Sequence, residues 1–184
     1  MALKATIFKA GLQVADLDRQ YFADHALTIA RHPSETDERM MVRILAFARH
    51  AHDALAFGKG LSDVDEPDIS QKDLTGAIEQ WIEVGQPDEK RILRACGRAQ
   101  SVSVYAYGPG AEIWWRQLGP KLERTRNLEV LRIPAETARD LAALARRTMN
   151  LQCTIQEGRI WIGEGERTVQ ADPVTLLSRS VGVR

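Results

Sequence analysis

Between residues 76 and 147 the sequence alternates between short apolar segments and amphipathic segments, and this alternation limits the possible folds most strongly. The expected strands are 76–85, 101–107 and 128–133, and the expected helices are 87–100, 111–118 (limited by Pro120) and 135–147. Strands that are separated by helices are expected to pair in parallel, because the crossover helix returns the chain to the same end of the sheet. The pattern therefore predicts a mixed α/β fold.

The flanking segments predict antiparallel strands and one long helix. The expected strands are 2–9 and 21–30 with a turn at 16–19, and a hairpin at 149–163 that turns at Glu157-Gly158. A helix is expected from an N-cap at Ser34 to about residue 55, with His52 on its apolar stripe. Residues 57–61 favour a turn or short strand, and residues 62–73 a loop or strand edge.

Length and composition exclude several classes of protein. The chain has 184 residues, 44% of them hydrophobic and 27% charged, which is ordinary for one globular domain spanning 1–184, with 170–184 as a tail. No apolar run approaches the roughly 18–20 residues that span a bilayer, so no membrane association is expected. The two cysteines, Cys96 and Cys153, have no CxxC spacing. We therefore expect a reducing, cytoplasmic location rather than a disulfide framework.

Charge is unevenly distributed along a chain whose net charge is zero. Residues 1–85 carry a balance of −5, and residues 86–150 carry +5. Within the basic part, Arg91, Arg94 and Arg98 recur at steps of three and four on an expected helix, so they share one face. That face is either a surface that contacts nucleic-acid phosphates or the solvated side of an amphipathic helix.

Acidic residues stand at positions that the pattern predicts to be buried or clustered. Glu83 lies near the end of the strand 76–85, on the face opposite Ile82 and Val84, and Glu38 extends the apolar stripe of the first long helix. A cluster of acids precedes that strand: Asp63, Asp65, Glu66 and Asp68. Two or three such carboxylates that converge would hold Mg²⁺ or Mn²⁺. Alternatively, they are solvated or paired with arginines.

Other common catalytic patterns are absent from the sequence. It contains no HExxH, P-loop, GxSxG or GxGxxG motif. Cys96 is expected to pack rather than to act as a nucleophile. At least one of the adjacent Trp114 and Trp115 is expected in the core.

Eight short segments, in order along most of the chain, resemble the YaeQ family of bacterial proteins. They are Ala2–Ile7, Arg31–Glu35, Glu38–Met41, Asp65–Pro67, Trp81–Glu83, Pro87–Glu89, Ile113–Trp115, and Arg147–Met149 through Trp161-Ile162. The resemblance implies a compact α/β fold related to the PD-(D/E)XK nucleases. It therefore implies a restriction-endonuclease-like αβββαβ core, with extra N-terminal strands and a C-terminal hairpin.

The resemblance also implies a metal-dependent site. Glu38 would be the helix acid, Glu83 the strand acid, and Asp65, Glu66 or Asp68 the remaining acid, with Pro67-Asp68 as the literal motif match. The implied ligands of Mg²⁺ or Mn²⁺ are Asp65, Asp68 and Glu83. The motif lysine would stand at position 85, where this chain has Gly85. The positive charge would then come from elsewhere, with the following residues as options: Lys90, Lys59, Lys4 and Lys9, with Gln86 also near.

Two functions remain open from the sequence. The first is a metal-dependent nuclease in which Arg91, Arg94 or Arg98 holds the nucleic-acid backbone. The second is a nuclease-fold module that has lost turnover and binds nucleic acid or a protein partner. Gly85 favours the second function, and the remaining acids favour the first.

Overall fold

Eleven strands and four helices make up the part of the chain described by this computed structural model, residues 4–59 and 65–180. The strands are β1 (Thr6–Asp16), β2 (Tyr21–Arg31), β3 (Leu55–Phe57), β4 (Ile69–Lys72), β5 (Ile78–Val84), β6 (Ala99–Ala106), β7 (Leu128–Arg132), β8 (Thr148–Gln156), β9 (Arg159–Glu164), β10 (Arg167–Gln170) and β11 (Val174–Leu177). The helices are α1 (Asp37–Arg49), α2 (Glu89–Arg98), α3 (Ala111–Leu122) and α4 (Ala135–Ala142).

The first sheet is built from strands with strict alternation of apolar and polar residues. Its order is β10-β9-β8-β1-β2, and β8 runs parallel to β1 while the other pairs are antiparallel. In β1, Phe8, Ala10, Leu12 and Val14 are buried on one face, while the alternate residues Lys9, Gly11 and Gln13 are exposed. Such alternation is typical of a sheet with one face on the core and one in solvent.

The second sheet has the order β11-β7-β6-β5-β4-β3. Strands β3, β4 and β5 form an antiparallel meander, whereas β6 and β7 follow parallel to β5 after the crossover helices α2 and α3. Its central strands are largely buried because helices cover both faces: six of the eight residues of β6 are buried.

Helix α1 lies in the core between the two sheets. Nine of its thirteen residues, Met40–Ala48, are buried, and they pack with apolar side chains of both sheets and of α4. Helices α2 and α3 cover the opposite face of the second sheet over a separate apolar cluster around Trp81 and Ile92. The mixed α/β prediction is confirmed: the described residues form two mixed sheets and four helices in one compact domain.

The boundaries of α1 differ from the prediction at both ends. The hydroxyl of Thr36 caps the helix by accepting a hydrogen bond from the Arg39 N–H, whereas the Ser34 hydroxyl bonds to His32. The helix ends at Arg49, although Ala51 and Leu55 continue the apolar pattern as buried residues outside it. His52 is therefore exposed rather than part of the core stripe, so that prediction was wrong.

Three other predictions are corrected by packing. The α3 helix continues through Pro120 because Leu122 beyond it is fully buried in the second cluster. The pairing of β5 with β4 shifts by one residue next to Ile78. Ile78 therefore packs in the second apolar cluster with Trp81, and not, as predicted, on the face of Ile82 and Val84. The tail is partly regular, since β11 pairs with β7.

Candidate functional site

Asp68 and Glu83 lie side by side in the backbone where β4 begins and β5 ends. Ile69 of β4 pairs with Ile82 of β5. Since the strands are antiparallel, Asp68 and Glu83 occupy the next pair of opposite positions. The negative charge of Asp68 contributes, after burial, to the raised pKa of Glu83. The backbones of these two implied metal ligands are neighbours, but Asp68 bonds to Arg39 of α1 and Glu83 lies against Arg91 of α2, so the two carboxylates face different helices.

Asp68 is held in place by two different donors. Its Oδ1 accepts a hydrogen bond of 2.7 Å from Nη2 of Arg39, and its Oδ2 accepts one of 2.7 Å from the Val84 N–H. Arg39 also donates to the carbonyl of Val84 at 3.1 Å. The carboxylate therefore ties α1, the start of β4 and the end of β5 together.

Arg39 also takes part in a second group of ion pairs, together with Glu35 and Arg43. Glu35, just before the helix, accepts from Nη1 of Arg39 at 2.9 Å and from two nitrogens of Arg43 at 2.8 and 2.7 Å. Glu35 and Arg43 have side chains only 2% exposed. A bidentate pair at such depth is stable only because both charges are matched. The spacing 35, 39 and 43 is the helical repeat of four, and this signal in the sequence was missed.

Glu83 lies on the opposite face of β5 and is 3% exposed. Its Oε1 accepts a hydrogen bond of 2.8 Å from the indole N–H of Trp81, and Nη2 of Arg91 lies 2.9 Å from the same oxygen. Burial, together with the charge of Asp68, raises the pKa of Glu83 against the lowering effect of Arg91 and Trp81. An arginine on a neighbouring helix thus balances this buried acid.

The three arginines of α2 all contact the segment at residues 65–66. Arg91 donates to the carbonyl of Glu66 at 2.9 Å, Arg98 donates to the carbonyl of Asp65 at 3.0 Å, and Arg94 forms an ion pair with the Asp65 carboxylate. The three arginines share one face of α2, as the sequence predicted. It fastens this segment to α2, while Arg94 and Arg98 remain exposed to solvent.

The other implied site residues lie apart from these contacts. Glu38 is half-buried near Tyr107 and makes no hydrogen bond or ion pair with the described residues. Lys90 is exposed on α2, and Glu66 lies 3.9 Å from the ammonium of Lys59. Asp63 falls outside the described residues.

Gly85, where the motif lysine would stand, has a backbone conformation that a lysine rarely adopts. Its φ is +120°, in the region that favours glycine, and nothing lies within 4 Å of a Cβ built there. The backbone, and not crowding, thus disfavours a side chain at position 85. Gln86, the alternative nearby, donates to the carbonyl of Tyr107 at 2.9 Å.

The acids do not form a preformed metal centre. In residues 4–59 and 65–180, no three His, Cys, Asp or Glu side chains are grouped so that they could share an ion. Both oxygens of Asp68 already accept hydrogen bonds, and Oε1 of Glu83 accepts from Trp81 next to a guanidinium. A divalent cation would have to displace Arg39 or Arg91 to gain a second carboxylate oxygen.

The geometry agrees with the comparisons to known proteins. The family model described as YaeQ protein matches residues 1–173. The chain belongs to the YaeQ family. It is 47% identical to the uncharacterized protein YaeQ of Salmonella typhi over 171 residues, covering 92% of this chain and 94% of that protein. It is 46% identical to the Escherichia coli K12 protein of the same name over 173 residues, covering 94% and 96%.

Two crystal structures of YaeQ proteins share this fold. The protein from Xanthomonas axonopodis pv. citri superposes with a TM-score of 0.91 at 44% identity, covering 95% of this chain and 99% of that one. The protein from Pseudomonas syringae also gives 0.91, at 36% identity, covering 95% and 97%. The two-sheet arrangement is therefore the arrangement of the YaeQ family.

A second polar network, at the other end of α1, was not predicted. Tyr105 Oη lies 2.8 Å from Nε2 of His50 and accepts from Nη1 of Arg49 at 2.9 Å. Glu129 accepts from Arg49 at 2.8 Å and from the Ser103 hydroxyl at 2.7 Å. Burial and the charge of Arg49 lower the pKa of His50 to about 3, so the imidazole is neutral at pH 7.

The remaining predictions on single residues concern packing. Burial raises the pKa of the Cys96 thiol to about 11, which makes it a poor nucleophile at neutral pH. Trp114 and Trp115 are both half-buried against the second apolar cluster. None of the described helices is long and apolar enough to cross a membrane.

Proposed function

We propose that this chain is a nuclease-like domain that binds the phosphodiester backbone of a nucleic acid without hydrolysing it. The proposal places it with the PD-(D/E)XK proteins as a variant. The order α1, β3, β4, β5, α2, β6 supports that placement, because the antiparallel meander and the parallel strand after α2 follow the αβββαβ core.

The pairing of both site carboxylates with arginines carries the proposal. Arg39 bonds to Asp68 and Arg91 bonds to Glu83, so the negative charge that would attract a cation is neutralised inside the protein. The lysine that would assist an attacking hydroxide is replaced by Gly85, whose φ of +120° disfavours it. These two observations favour binding over hydrolysis.

The outer surface of α2 supplies the phosphate contacts. Arg94 and Arg98 are exposed, and Lys90 lies near them on the same helix. The ion pair of Arg94 with Asp65 joins side chains that are 45% and 65% exposed. Such exposed pairs contribute little free energy, about 0–1 kcal/mol, so a phosphate can replace the carboxylate.

Fluorescence anisotropy with a labelled DNA or RNA oligonucleotide over a range of salt concentrations tests this function. Two phosphate contacts predict a slope of log K against log salt of about −2 for duplex DNA, and a slope near zero for the double variant Arg94→Gln/Arg98→Gln. The exposed Arg146→Gln, outside α2, is the matched control and should bind as wild type does. Equal affinity of the double variant and wild type would sink the proposal. Salt-independent capture of a protein would favour a protein partner instead.

Metal-dependent hydrolysis is a second candidate, favoured by the adjacent backbone positions of Asp68 and Glu83, just before β4 and near the end of β5. Mg²⁺ or Mn²⁺ would use these two carboxylates, with Asp65, Glu66 or Glu38 as the further acid. Since the arginines occupy both carboxylates, this candidate requires that Arg39 or Arg91 be released. It predicts nuclease activity that depends on Mn²⁺ and is lost in Glu83→Gln.

A further inference from the structure

A cavity of about 400 Å³ lies between the two sheets, at the C-terminal end of α1. The cavity is remote from Asp68, which contacts the first turn of the same helix through Arg39. Three arginines line the cavity, Arg19, Arg49 and Arg179, and each comes from a different part of the chain.

The charges around this cavity are unevenly matched. Arg19 is paired with Asp16 at 2.6 Å. The remaining two guanidinium groups share one carboxylate, since Glu129 lies 2.8 Å from Arg49 and 3.5 Å from Arg179. His50, beside them, is neutral at pH 7 because of its lowered pKa. The lining as a whole carries three arginines and three acids, but at the Arg49–Arg179 side two guanidinium groups share one carboxylate, so positive charge is in excess there.

The last acid of the cavity does not cancel this surplus. The two oxygens of Asp18 accept hydrogen bonds from the backbone N–H groups of Glu157 and Gly158, at 2.7 and 2.9 Å. Asp18 therefore fastens the β1–β2 turn to the β8–β9 turn. Within the described residues it forms no ion pair with Arg49 or Arg179, whose partner is Glu129.

Some arginine donors of this cavity have no acceptor among the described residues. Nε of Arg179 is buried and has no hydrogen-bond partner within residues 4–59 and 65–180. Arg49 makes its hydrogen bonds with those residues through Nη1 alone. The side chains of Arg49 and Arg179 are 31% and 32% exposed, so the donors of theirs that reach solvent are available to an acceptor atom of a bound molecule.

The remaining cavity wall is mixed, with three apolar side chains beside Gly158, Pro173 and Thr175. Leu131 of β7, Ile155 of β8 and Ile160 of β9 line it, and each is at most 4% exposed. The cavity volume falls in the usual range of small-molecule sites, roughly 300–1,000 Å³, and the charged groups and the apolar side chains can each contact part of one ligand.

We propose that this cavity binds a small molecule in which one oxyanion, a phosphate or a carboxylate, is attached to an apolar body. The oxyanion accepts hydrogen bonds from the guanidinium groups of Arg49 and Arg179. The apolar body packs against Ile155 and Ile160. This site is independent of the nucleic-acid surface on α2, which lies on the other face of the second sheet.

Titration of the full ¹⁵N-labelled chain by NMR tests the cavity with four probes: inorganic phosphate, acetate, phenyl phosphate and benzoate. We expect saturable shifts of the amides of Gly158 and Thr175, with phenyl phosphate and benzoate binding more tightly than inorganic phosphate and acetate. The preference between the two aromatic probes identifies the oxyanion. Excess inorganic phosphate or acetate should displace the aromatic probe.

Variants of single arginines separate this site from general charge attraction. Arg179→Gln should weaken phenyl phosphate or benzoate by about tenfold or more, because a charge-assisted hydrogen bond is lost. Arg179→Lys, which keeps the charge but loses the planar fork, should lie between this variant and wild type. Arg116→Gln, an exposed arginine on α3, should bind as wild type does. The proposal is wrong if no probe gives saturable shifts at millimolar concentration, or if Arg116→Gln loses as much affinity as Arg179→Gln.

Discussion

Arg39 and Asp68, 29 residues apart in sequence, are joined by a hydrogen bond of 2.7 Å between Nη2 and Oδ1. The side chains are 13% and 8% exposed, so little water competes for either charge. This pair connects α1 to the second sheet and neutralises one of the two acids of the candidate site. It therefore serves stability and determines what the site can bind.

Breaking this pair is expected to destabilise the fold. Arg39→Gln leaves Asp68 and Glu35 with one partner fewer in a buried place, and we expect a loss of about 3 kcal/mol in the free energy of unfolding. Urea denaturation measures this loss, and the exposed Arg146→Gln should change the free energy by less than about 0.5 kcal/mol.

A double-mutant cycle assigns the loss to the contact itself. Asp68→Asn and the double variant Arg39→Gln/Asp68→Asn complete the cycle, and we expect a coupling energy of at least about 1 kcal/mol. Additive effects of the two substitutions would show that the pair does not link α1 to the sheet energetically.

Mn²⁺ calorimetry distinguishes the two candidate functions at the Asp68–Glu83 site. Because arginines occupy both carboxylates, we expect wild type to show no stoichiometric binding at millimolar Mn²⁺. Arg91→Gln frees Glu83 and should increase affinity for Mn²⁺, whereas Arg91→Gln/Glu83→Gln should abolish that gain. Tight binding by wild type that is lost in Glu83→Gln would contradict the binding-only proposal and favour metal-dependent hydrolysis.

Gly85→Lys tests whether the backbone explains the missing lysine. A residue with a Cβ at φ +120° is strained, so we expect a loss of about 1–2 kcal/mol in unfolding free energy, and the same loss for Gly85→Ala. Gly97→Ala is the matched control, because Gly97 lies in α2 with open space around it and no positive φ. It should be neutral or stabilising by up to about 1 kcal/mol. Equal stability of Gly85→Lys and wild type would remove this explanation.

The local pattern of the sequence predicted most of the elements. Alternation predicted a strand at 2–9, which overlaps only the first part of β1 (Thr6–Asp16), and the turn residues Glu157-Gly158 identified the hairpin of β8 and β9, because these signals are local. The end of α1 was placed too late, because Ala51 and Leu55 are buried by tertiary packing at the spacing that a longer helix would also show. Periodicity alone cannot separate these two cases.

The partners within the site could not be predicted in the same way. The acids at 68 and 83 were found from their positions, but their arginines come from α1 and α2, and only the folded register shows which charges meet. The same holds for Glu129, whose partner Arg49 is 80 residues away. By contrast, the spacing of Glu35, Arg39 and Arg43 is a local signal that sequence analysis can use in other members of the family.

The network of His50 and Glu129 predicts acid sensitivity in two pH ranges. Burial and Arg49, with smaller effects of Arg179 and Arg19, lower the pKa of His50 from 6.5 to about 3 despite the charge of Glu129. Burial raises the pKa of Glu129, but the hydrogen bonds and charges of Arg49, Arg179 and Ser103 outweigh it and lower the pKa from 4.5 to about 2.

Because both pKa values are lower in the folded protein, the unfolded chain takes up more protons as the pH falls, and stability falls with it. The contribution of His50 is lost between pH 6.5 and 3, and that of Glu129 between pH 4.5 and 2. Between pH 6.5 and 4.5 the unfolding free energy of wild type should fall as His50 of the unfolded chain takes up a proton. In His50→Gln this fall should be smaller by about 2–3 kcal/mol. Glu129→Gln should flatten the profile below pH 4.5. Urea denaturation across this pH range measures both effects, with the exposed His52→Gln as control. If His50→Gln keeps the wild-type slope above pH 4.5, His50 is not held neutral by this network.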